Sequence, residues 1–240
     1  MKNKNLCIIQ TRMASTRLPG KVMLKVKGQA LLTYEIRRVR QAKKIDKIVV
    51  ATTTNKKDGR IYDFCRKNSI DCFRGSENDV LDRYYLASAK YPKYGNIIRI
   101  TGDCPLIDPQ VIDDVVDFFE KNRFDYASNV GKPTYPDGMD VEIFKRKILE
   151  EAAQKAKLAS EREHVTLYIR NKMKIKKGNL ASPVDFSHFR LTVDNQDDFE
   201  VIKFIIENSN IKDGYPQYIS LLTKNPEIMF KNMHIKRNEG

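Results

Sequence analysis

Short apolar runs rich in β-branched residues alternate along this chain with longer segments of helical period. This alternation is typical of a mostly parallel sheet, because parallel strands are joined by long crossovers that are usually helices. The runs that fit strands are 6–11, 47–53, 70–73, 96–101, 125–128 and 189–193. The segments that fit helices are about 30–43, 58–68, 78–90, 108–122, 144–157, 160–171 and 196–208. The sequence therefore predicts an α/β fold with a mostly parallel sheet flanked by helices.

One segment, about 131–187, breaks this alternation and is rich in turn-forming residues. These residues are Pro133, Pro136, Gly138, Gly178 and Pro183. No internal repeat or low-complexity linker divides the chain, and 240 residues with 41% hydrophobic side chains can bury a substantial core. We therefore expect a single domain over residues 1–240, in which 131–187 is a less regular excursion that faces substrate or mediates dimerisation.

The excess positive charge lies entirely in the first quarter of the chain. The chain has 44 Lys+Arg and 31 Asp+Glu, of which residues 1–60 contain 16 and 3, so that 28 of each remain afterwards. Such asymmetry indicates an anionic partner for the N-terminal region. Nucleic acid, an anionic membrane surface and a small polyphosphate all satisfy it, and charge alone does not distinguish among them.

Neither a signal peptide nor a membrane span is predicted. The first apolar run, 6–9, is too short for the core of a signal peptide. No apolar stretch approaches the roughly 20 residues of a spanning helix. The protein is therefore expected in the cytoplasm, where its cysteines should stay reduced. Because Cys7, Cys65, Cys72 and Cys104 show no CxxC spacing, we expect small buried side chains rather than metal ligands.

Three cations follow the first predicted strand. Arg12, Arg17 and Lys21 lie on one turn, and the small residues Ala14 and Ser15 let a ligand approach the backbone closely. Because ligands of open parallel sheets bind beyond the carboxyl ends of the strands, this turn is a candidate triphosphate site. It lacks the GxxxxGK[ST] pattern, which argues against a kinase or ATPase of the Walker type. The alternative is a solvated basic loop.

Two aspartates follow other predicted strands. Asp103 comes after the fourth strand and Asp194 ends the sixth. Mg²⁺ in proteins is typically held by one or two carboxylates together with phosphate oxygens, so the pair predicts a magnesium site if the two strands are neighbours. The alternative is helix capping, by Asp194 or by Asn195. Capping is the role we assign to Asp108, which precedes Pro109.

Several ordered motifs resemble the cytidylyltransferase family, whose members make CMP-activated sugar acids. These motifs are Arg-Leu-Pro-Gly-Lys at 17–21, Thr-Gly-Asp-Cys-Pro-Leu at 101–106 and Val-Asp-Asn-Gln-Asp-Asp at 193–198. Further motifs look most like the SpsF branch, named for spore-coat polysaccharide biosynthesis. They are Arg-Gly-Ser-Glu-Asn-Asp-Val-Leu-Asp-Arg-Tyr at 74–84, Tyr-Pro-Asp-Gly-Met-Asp-Val-Glu at 135–142 and Arg-Glu-His-Val-Thr at 162–166. The resemblance covers roughly residues 5–210.

The resemblance implies a Rossmann-like nucleotidyltransferase fold, CTP or another nucleoside triphosphate as donor, Mg²⁺ as cofactor, a sugar or sugar-acid acceptor, and a homodimer. The nucleotide-binding residues it implies are Arg12, Ala14, Ser15, Arg17, Lys21, Asp79, Arg83 and Thr101. The metal ligands it implies are Asp103 and Asp194. The acceptor-binding residues it implies are Asp137, Asp140, Glu142, Arg162, His164 and Arg190. Thr101 departs from the family, which commonly carries Gln there.

The implied reaction is an in-line attack by an acceptor oxygen on the α-phosphorus of CTP, with pyrophosphate as leaving group. Positioning and charge neutralisation would dominate catalysis. The catalytic residues would be Arg17, Lys21, Asp103 and Asp194. The candidates for a protein base, which is not obligatory, are His164, Asp140 and Glu142. The candidate cations for a carboxylated acceptor are Arg162 and Arg190.

Two other classes of protein stay open. Glycosyltransferases that use nucleotide-sugars share the layered α/β architecture, but the nearest match to their DxD motif, Asp71-Cys72-Phe73, fails it. A nucleic-acid-binding protein would use the basic first quarter as a phosphate-binding stripe, yet no groove-reading helix motif or aromatic platform is found. Arg37, Arg38 and Arg40 fit a solvated helix face equally well. We take cytidylyl transfer for cell-surface or spore-coat polysaccharide synthesis as the main prediction, with no nucleic acid as partner.

Overall fold

In the computed structural model, which describes residues 3–237, a seven-stranded sheet organises the chain. The strands are β1 (Asn5–Gln10), β2 (Lys25–Val26), β3 (Gln29–Ala30), β4 (Lys47–Thr53), β5 (Asp71–Gly75), β6 (Asn96–Thr101), β7 (Tyr126–Ser128), β8 (Glu142–Lys145) and β9 (Lys177–Asn179). The helices are α1 (Leu31–Val39), α2 (Gly59–Lys67), α3 (Val80–Ala89), α4 (Pro109–Asn122), α5 (Arg146–Lys155), α6 (Ala159–Glu163), α7 (Leu167–Asn171), α8 (Gln196–Asn208), α9 (Tyr215–Thr223) and α10 (Pro226–Met229).

The sheet has the strand order β5-β4-β1-β6-β8-β7-β9, and β2 and β3 form a separate small hairpin. β1 pairs in parallel with β4 and β6, and β4 pairs in parallel with β5. β8 lies antiparallel to both β6 and β7, and β9 joins β7 in parallel. The predicted α/β fold with a mostly parallel sheet flanked by helices is confirmed.

Helices cover both faces of the sheet, which explains why its strands have continuous apolar sequences. Successive residues of β1 point to opposite faces. Leu6 and Ile8 join the core that includes α3, α5 and α7, whereas Cys7 and Ile9 join the core that includes α1, α4 and α8. All four side chains are fully buried, and burial of each large aliphatic one contributes roughly 1.5–3 kcal/mol.

The predicted strand at 189–193 is wrong. Arg190 forms only an isolated parallel bridge with Asp137, and the amide of Leu191 donates to the carbonyl of Asp137 at 2.7 Å. The amide of Val193 donates to the carbonyl of Asp103 at 2.9 Å. The backbone partners of this segment are therefore loop residues rather than a neighbouring strand. The segment still reaches the edge of the sheet at which β6 ends.

The less regular segment 131–187 contributes β8 and β9 to the main sheet, which its sequence did not reveal. β8 runs directly into α5, so no turn residue separates the strand from the helix, and the helix predicted from residue 144 begins instead at Arg146. The helix predicted at 160–171 is divided into α6 and α7 by a turn at which Val165 has φ 39°. α9 and α10, which lie beyond the predicted elements, pack beside α8.

The structure also tests the predicted helix cap at Asp108 and the predicted burial of the cysteines. Asp108 caps α4 by accepting a hydrogen bond from the amide of Gln110 at 2.9 Å, as expected. The cysteines are all free; three are buried and Cys72 is partly buried. Among residues 3–237, no helix combines the length and the apolar character that a membrane crossing requires.

Gly138→Ala should destabilise the fold, because a Cβ there would lie 2.5 Å from the carbonyl oxygen of Leu191, a backbone atom. Gly138 has φ +97°, and the matched control Gly28 has φ +76° but no atom within 4 Å of its Cβ position. We expect Gly28→Ala to lower the free energy of unfolding by about 1 kcal/mol, and Gly138→Ala to lower it by about 2 kcal/mol more, in denaturant titrations. Equal losses in the two variants would contradict this close approach.

Candidate active site

A cleft of about 800 Å³ opens at the carboxyl ends of β1 and β6. β8 is antiparallel to β6, so its first residue, Glu142, lies at the same edge. The predicted site residues that line the cleft are Arg12, Ala14, Ser15, Arg17, Lys21, Thr101, Asp103, Asp137, Asp140, Glu142, His164, Arg190 and Asp194. The structure thus brings residues from five separate segments of the chain to the edge at which an open parallel sheet binds its ligands.

A buried carboxylate, Asp58, holds the loop that follows β1. Its Oδ1 accepts a hydrogen bond from the amide of Met13 at 2.6 Å. The carbonyl of Met13 in turn accepts from the amide of Gly20 at 2.9 Å, so the loop closes on itself. Arg12 and Arg17 extend from this closed loop as exposed side chains that line the cleft.

Lys21 lies between the two predicted metal ligands. Its Nζ donates to Oδ2 of Asp103 at 2.9 Å and to Oδ1 of Asp194 at 2.7 Å. Burial opposes the charge of Lys21, but the two carboxylates outweigh it and raise the pKa of Lys21. Burial likewise opposes the charge of Asp103, but Lys21 outweighs it, and the pKa of Asp103 lies below its ordinary value. The site therefore holds the charged Lys21 between the side chains of Asp103 and Asp194.

Backbone contacts keep Asp103 and Asp194 together. The carbonyl of Asp103 accepts from the amide of Val193, the residue before Asp194. Gly102 permits Asp103 to lie beside the loop after β1, because a Cβ on Gly102 would lie 2.6 Å from the Cβ of Thr11. The separation of the two acids is consequently set by main-chain packing as well as by Lys21.

Arg190 fixes Asp194 from the other side. Its guanidinium donates to Asp194 at 2.6 Å, to Asp198 at 2.8 Å and to Asp137 at 2.6 Å. Only 5% of Arg190 is exposed, and the carboxylates outweigh burial and raise its pKa. Because its donors are occupied by three carboxylates, Arg190 positions Asp194 and is not a spare cation for an acceptor.

The side chain of Asp194 does not cap helix α8. The side chain of Asn195 accepts from the amide of Asp198 at 3.0 Å, and Asp198 accepts from the amide of Asn195 in return. This capping box starts α8 without the side chain of Asp194. The alternative in which Asp194 caps the helix is therefore wrong.

Asp79, Arg83 and Arg162 are not brought to the cleft lining. The guanidinium of Arg162 binds Asp79 at 2.6 and 2.9 Å, and Asp79 also caps α3. Arg83 is 1% exposed and donates to the carbonyl of Ser76 at 2.5 Å. These contacts join α3 to α6 and to Ser76, the residue that follows β5. The nucleotide contacts of Asp79 and Arg83 and the acceptor contact of Arg162 are predictions that this placement does not support.

Glu142 is saturated with hydrogen bonds. It accepts from Arg99 at 2.5 Å, from the hydroxyl of Tyr126 at 2.5 Å and from the hydroxyl of Thr166 at 2.7 Å. Burial raises the pKa of Glu142, but Arg99 and the two hydroxyls outweigh it and hold the pKa below its ordinary value. A carboxylate in this state is a poor proton acceptor, which argues against Glu142 as a base.

Asp140 is better suited to accept a proton. Burial raises its pKa to about 7 against the opposing charge of Arg237, which donates a hydrogen bond to Asp140. A group that titrates near neutrality is the usual choice for general-base catalysis. His164 also lines the cleft, where it is exposed in the turn between α6 and α7.

The donor set fits magnesium. Among residues 3–237, no cluster of three or more His, Cys, Asp or Glu side chains has the geometry of a metal site. Asp103 and Asp194, which both bind Lys21, offer two carboxylates, and Mg²⁺ commonly takes one or two when substrate phosphates and waters complete its shell. The placement of the Lys21 ammonium between them shows that the pair attracts a cation. Magnesium binding itself stays a prediction.

Comparison with known proteins decides the family. A sequence model described as cytidylyltransferase matches residues 6–231. The chain belongs to the cytidylyltransferase family. Its similarity to SpsF is also shown, since the spore coat polysaccharide biosynthesis protein SpsF of Bacillus subtilis is 34% identical over 94% of this chain and 96% of that protein.

Solved structures support the same assignment for this cytidylyltransferase. A cytidylyltransferase from Leptospira borgpetersenii serovar Hardjo-bovis has a TM-score of 0.90 and 36% identity, covering 96% of this chain and 98% of that one. CMP:2-keto-3-deoxy-manno-octonic acid synthetase complexed with CTP has a TM-score of 0.65 and 16% identity, covering 85% and 99%, which shows the fold alone. The Rossmann-like nucleotidyltransferase fold is thereby confirmed.

Two charged residues in or beside this cytidylyltransferase site, Glu35 and Arg237, were not found from the sequence. Glu35 is fully buried, and neither of its carboxyl oxygens has a hydrogen-bond partner among the described residues. Burial raises the pKa of Glu35, and the charge of Asp103 raises it further. The one available signal was an acid on the apolar face of a predicted helix, beside Leu32 and Ile36. Arg237 gave no signal, because it lies outside every motif.

Lys21→Met should destabilise the protein at pH 7 without Mg²⁺, because Asp103 and Asp194 lose their shared counter-ion. We expect a loss of about 1–3 kcal/mol in free energy of unfolding, since both acids are partly exposed. Added Mg²⁺ should raise the unfolding temperature more in this variant than in the wild type.

The effect of Lys21→Met should also depend on pH. The folded-state pKa of Asp103 lies below its ordinary value of 3.8, so its stabilising contribution is present above that value and is lost as the pH falls through the folded-state pKa. The difference between wild type and variant should therefore shrink below about pH 4. Lys25→Met, at an exposed lysine, is the control. Equal losses in both variants, or a difference independent of pH, would contradict the proposed ion pair.

Proposed function

We propose that this protein transfers the cytidylyl group of CTP to a sugar or sugar acid, with release of pyrophosphate, for the synthesis of a cell-surface polysaccharide. Membership of the cytidylyltransferase family supports nucleotidyl transfer. The names of similar proteins support the finer assignment, because a 3-deoxy-manno-octulosonate cytidylyltransferase of Chlamydia trachomatis matches 58% of this chain and SpsF is named for spore coat polysaccharide biosynthesis. Cytoplasmic location and a homodimer stay predictions.

The observation that carries this proposal is the meeting of Lys21 with Asp103 and Asp194 at the mouth of the loop after β1. Arg17 extends the cluster, with its guanidinium 3.3 Å from Asp194. Cations on a closed loop beside two carboxylates suit a triphosphate, whose negative charge must be neutralised while a metal is held nearby. Arg12 adds a further cation on the same loop.

The chemistry is an in-line displacement at the α-phosphorus of CTP. A bond forms between an acceptor oxygen and the α-phosphorus, and the bond from the α-phosphorus to the bridging oxygen of pyrophosphate breaks. Arg17 and Lys21 stabilise the negative charge that develops on the pyrophosphate. Mg²⁺ held by Asp103 and Asp194 would supply further charge neutralisation at the phosphate oxygens. When the acceptor reacts as a hydroxyl, Asp140 is the residue best suited to receive its proton.

The other classes considered gain no support. Asp71-Cys72-Phe73 lies in β5 and does not line the cleft, so it supplies no substitute for a glycosyltransferase DxD motif. Arg38, one of the basic residues of the first quarter, is 2% exposed and donates to the carbonyls of Ile107 and Ile211. It therefore supports the fold and is no part of a surface for nucleic acid.

Asp103→Asn should lower the rate of pyrophosphate release from CTP by on the order of a hundredfold, because it removes a charge from the predicted metal site. The assay follows pyrophosphate with CTP, Mg²⁺ and a panel of sugar acids. Asp63→Asn, at an exposed aspartate of α2, is the matched control and should retain the wild-type rate. Near-normal turnover in Asp103→Asn would overturn the assignment of this residue.

A further inference from the structure

The segment after α10 brings an arginine, Arg237, into the cleft. It lies beyond the residues that the family model matches, so family membership assigns it no role. Asn232 anchors the segment, because it is 1% exposed and its side-chain amide donates to the carbonyl of Arg190 at 3.1 Å and to Oδ1 of Asp198 at 2.9 Å. The path of Arg237 into the cleft is therefore tied to the arginine that holds Asp194.

Arg237 clamps the turn that carries Asp140. Its guanidinium donates to Oδ1 of Asp140 and to the carbonyl of Tyr135 at 3.2 Å, and it lies 3.9 Å from Asp137. Arg190 reaches the same turn through Asp137, at 2.6 Å. The side chain of Arg237 is 14% exposed, so these contacts are largely shielded from water. One guanidinium thus joins both ends of the turn and fixes the side chain of Asp140 relative to it.

Arg237 also acts on the charge of Asp140. Burial raises the pKa of Asp140, and Arg237 lowers it. Two carboxylates raise it again, Asp137 on the same turn and Glu142 at the start of β8. The thiol of Cys104, after β6, also lies near Asp140, and burial keeps it neutral by raising its pKa. Without Arg237, these neighbours would favour the protonated form of Asp140.

Asp140 keeps one oxygen available on its other side. Among residues 3–237, its Oδ1 accepts from Arg237 and its Oδ2 accepts no hydrogen bond. The side chain of Asp140 is 31% exposed and lines the cleft, whereas that of Glu142 is 3% exposed and saturated with hydrogen bonds. A carboxylate that is held through one oxygen and open at the other has the geometry of an oriented proton acceptor.

We propose that Arg237 is a positioning residue of the transfer reaction, which holds Asp140 where its free oxygen can receive a proton from the acceptor. This inference deepens the proposed function and rests on it, because Asp140 is the proton acceptor named there. As the acceptor oxygen bonds to the α-phosphorus, its O–H bond breaks and the proton passes to Asp140. Arg237 keeps its own charge throughout, since a guanidinium is not deprotonated in proteins, and its planar donors hold a carboxylate and a carbonyl at once.

The test separates the charge of Arg237 from its bulk. The variants are Arg237→Gln, Arg237→Lys, Asp140→Asn and the double variant of Arg237→Gln with Asp140→Asn, and the control is Arg60→Gln at an exposed arginine of α2. Pyrophosphate release is measured with CTP, Mg²⁺ and the sugar or sugar acid that the wild type uses best, from about pH 5 to about pH 10. Carbon-13 NMR of aspartate-labelled protein, with the Asp140 resonance assigned from Asp140→Asn, follows the same titration without any substrate.

In the wild type, kcat/KM for the acceptor should fall on the acid side of about pH 7, the value to which burial raises the pKa of Asp140. Arg237→Gln should move this limb, and the NMR midpoint, up by about one to two pH units. That shift lowers kcat/KM at pH 7 about 5- to 50-fold and leaves it close to the wild-type value near the alkaline end. Arg237→Lys should retain most of the wild-type profile. Asp140→Asn should lower kcat/KM on the order of a hundredfold or more, and adding Arg237→Gln should lower it no further.

Four results would overturn the role of Arg237. They are an Asp140 midpoint in Arg237→Gln equal to that in Arg60→Gln, a loss of kcat/KM in Arg237→Gln that is the same at every pH, a further loss in the double variant, and near-normal turnover in Asp140→Asn. Failure of the proposed function is distinguishable, because the wild type would then release no pyrophosphate with any acceptor. The NMR titration would still decide whether Arg237 controls the charge of Asp140.

Discussion

The site depends on one ammonium group held between two carboxylates. Lys21 follows the first strand, Asp103 follows β6, and Asp194 lies on a segment far along the chain, yet Nζ of Lys21 lies within 2.9 Å of both acids. Two carboxylates this close would repel each other without a cation. The arrangement therefore keeps a cation-binding pocket formed, and it places a lysine beside the position at which we propose that a nucleotide and its metal bind.

The fold supports this ion pair through further contacts around Asp194. Arg190 holds Asp194 from behind, and its other donors are taken by Asp137 and Asp198, so the acid has a defined orientation. Gly138 lets the Asp137 turn approach the segment that carries Asp194. Asp137 and Arg190, which the sequence suggested as substrate ligands, thus also support the position of Asp194, and their contacts with substrate stay predictions.

Much of the sheet and of the cation site could be predicted from the sequence because the signals are local. A continuous apolar run, a turn with cations and an aspartate after a strand can each be recognised without tertiary information. The segment 189–193 was misassigned because its alternating apolar residues are buried as in a strand, although its hydrogen bonds go to loop carbonyls. β8 was missed because four residues without a bounding turn have no clear period. The pairing of Arg162 with Asp79 depends on tertiary contacts and has no local signal.

The central claim is that Asp103 and Asp194 together hold the cation of a metal–nucleotide complex. The most direct measurement is electron paramagnetic resonance of Mn²⁺, used in place of Mg²⁺, bound to the protein with CTP. We predict coupling of Mn²⁺ to the phosphorus nuclei of CTP, and a loss of Mn²⁺ affinity on the order of tenfold or more in both Asp103→Asn and Asp194→Asn. Wild-type affinity in either variant, or bound Mn²⁺ without phosphorus coupling, would contradict the account.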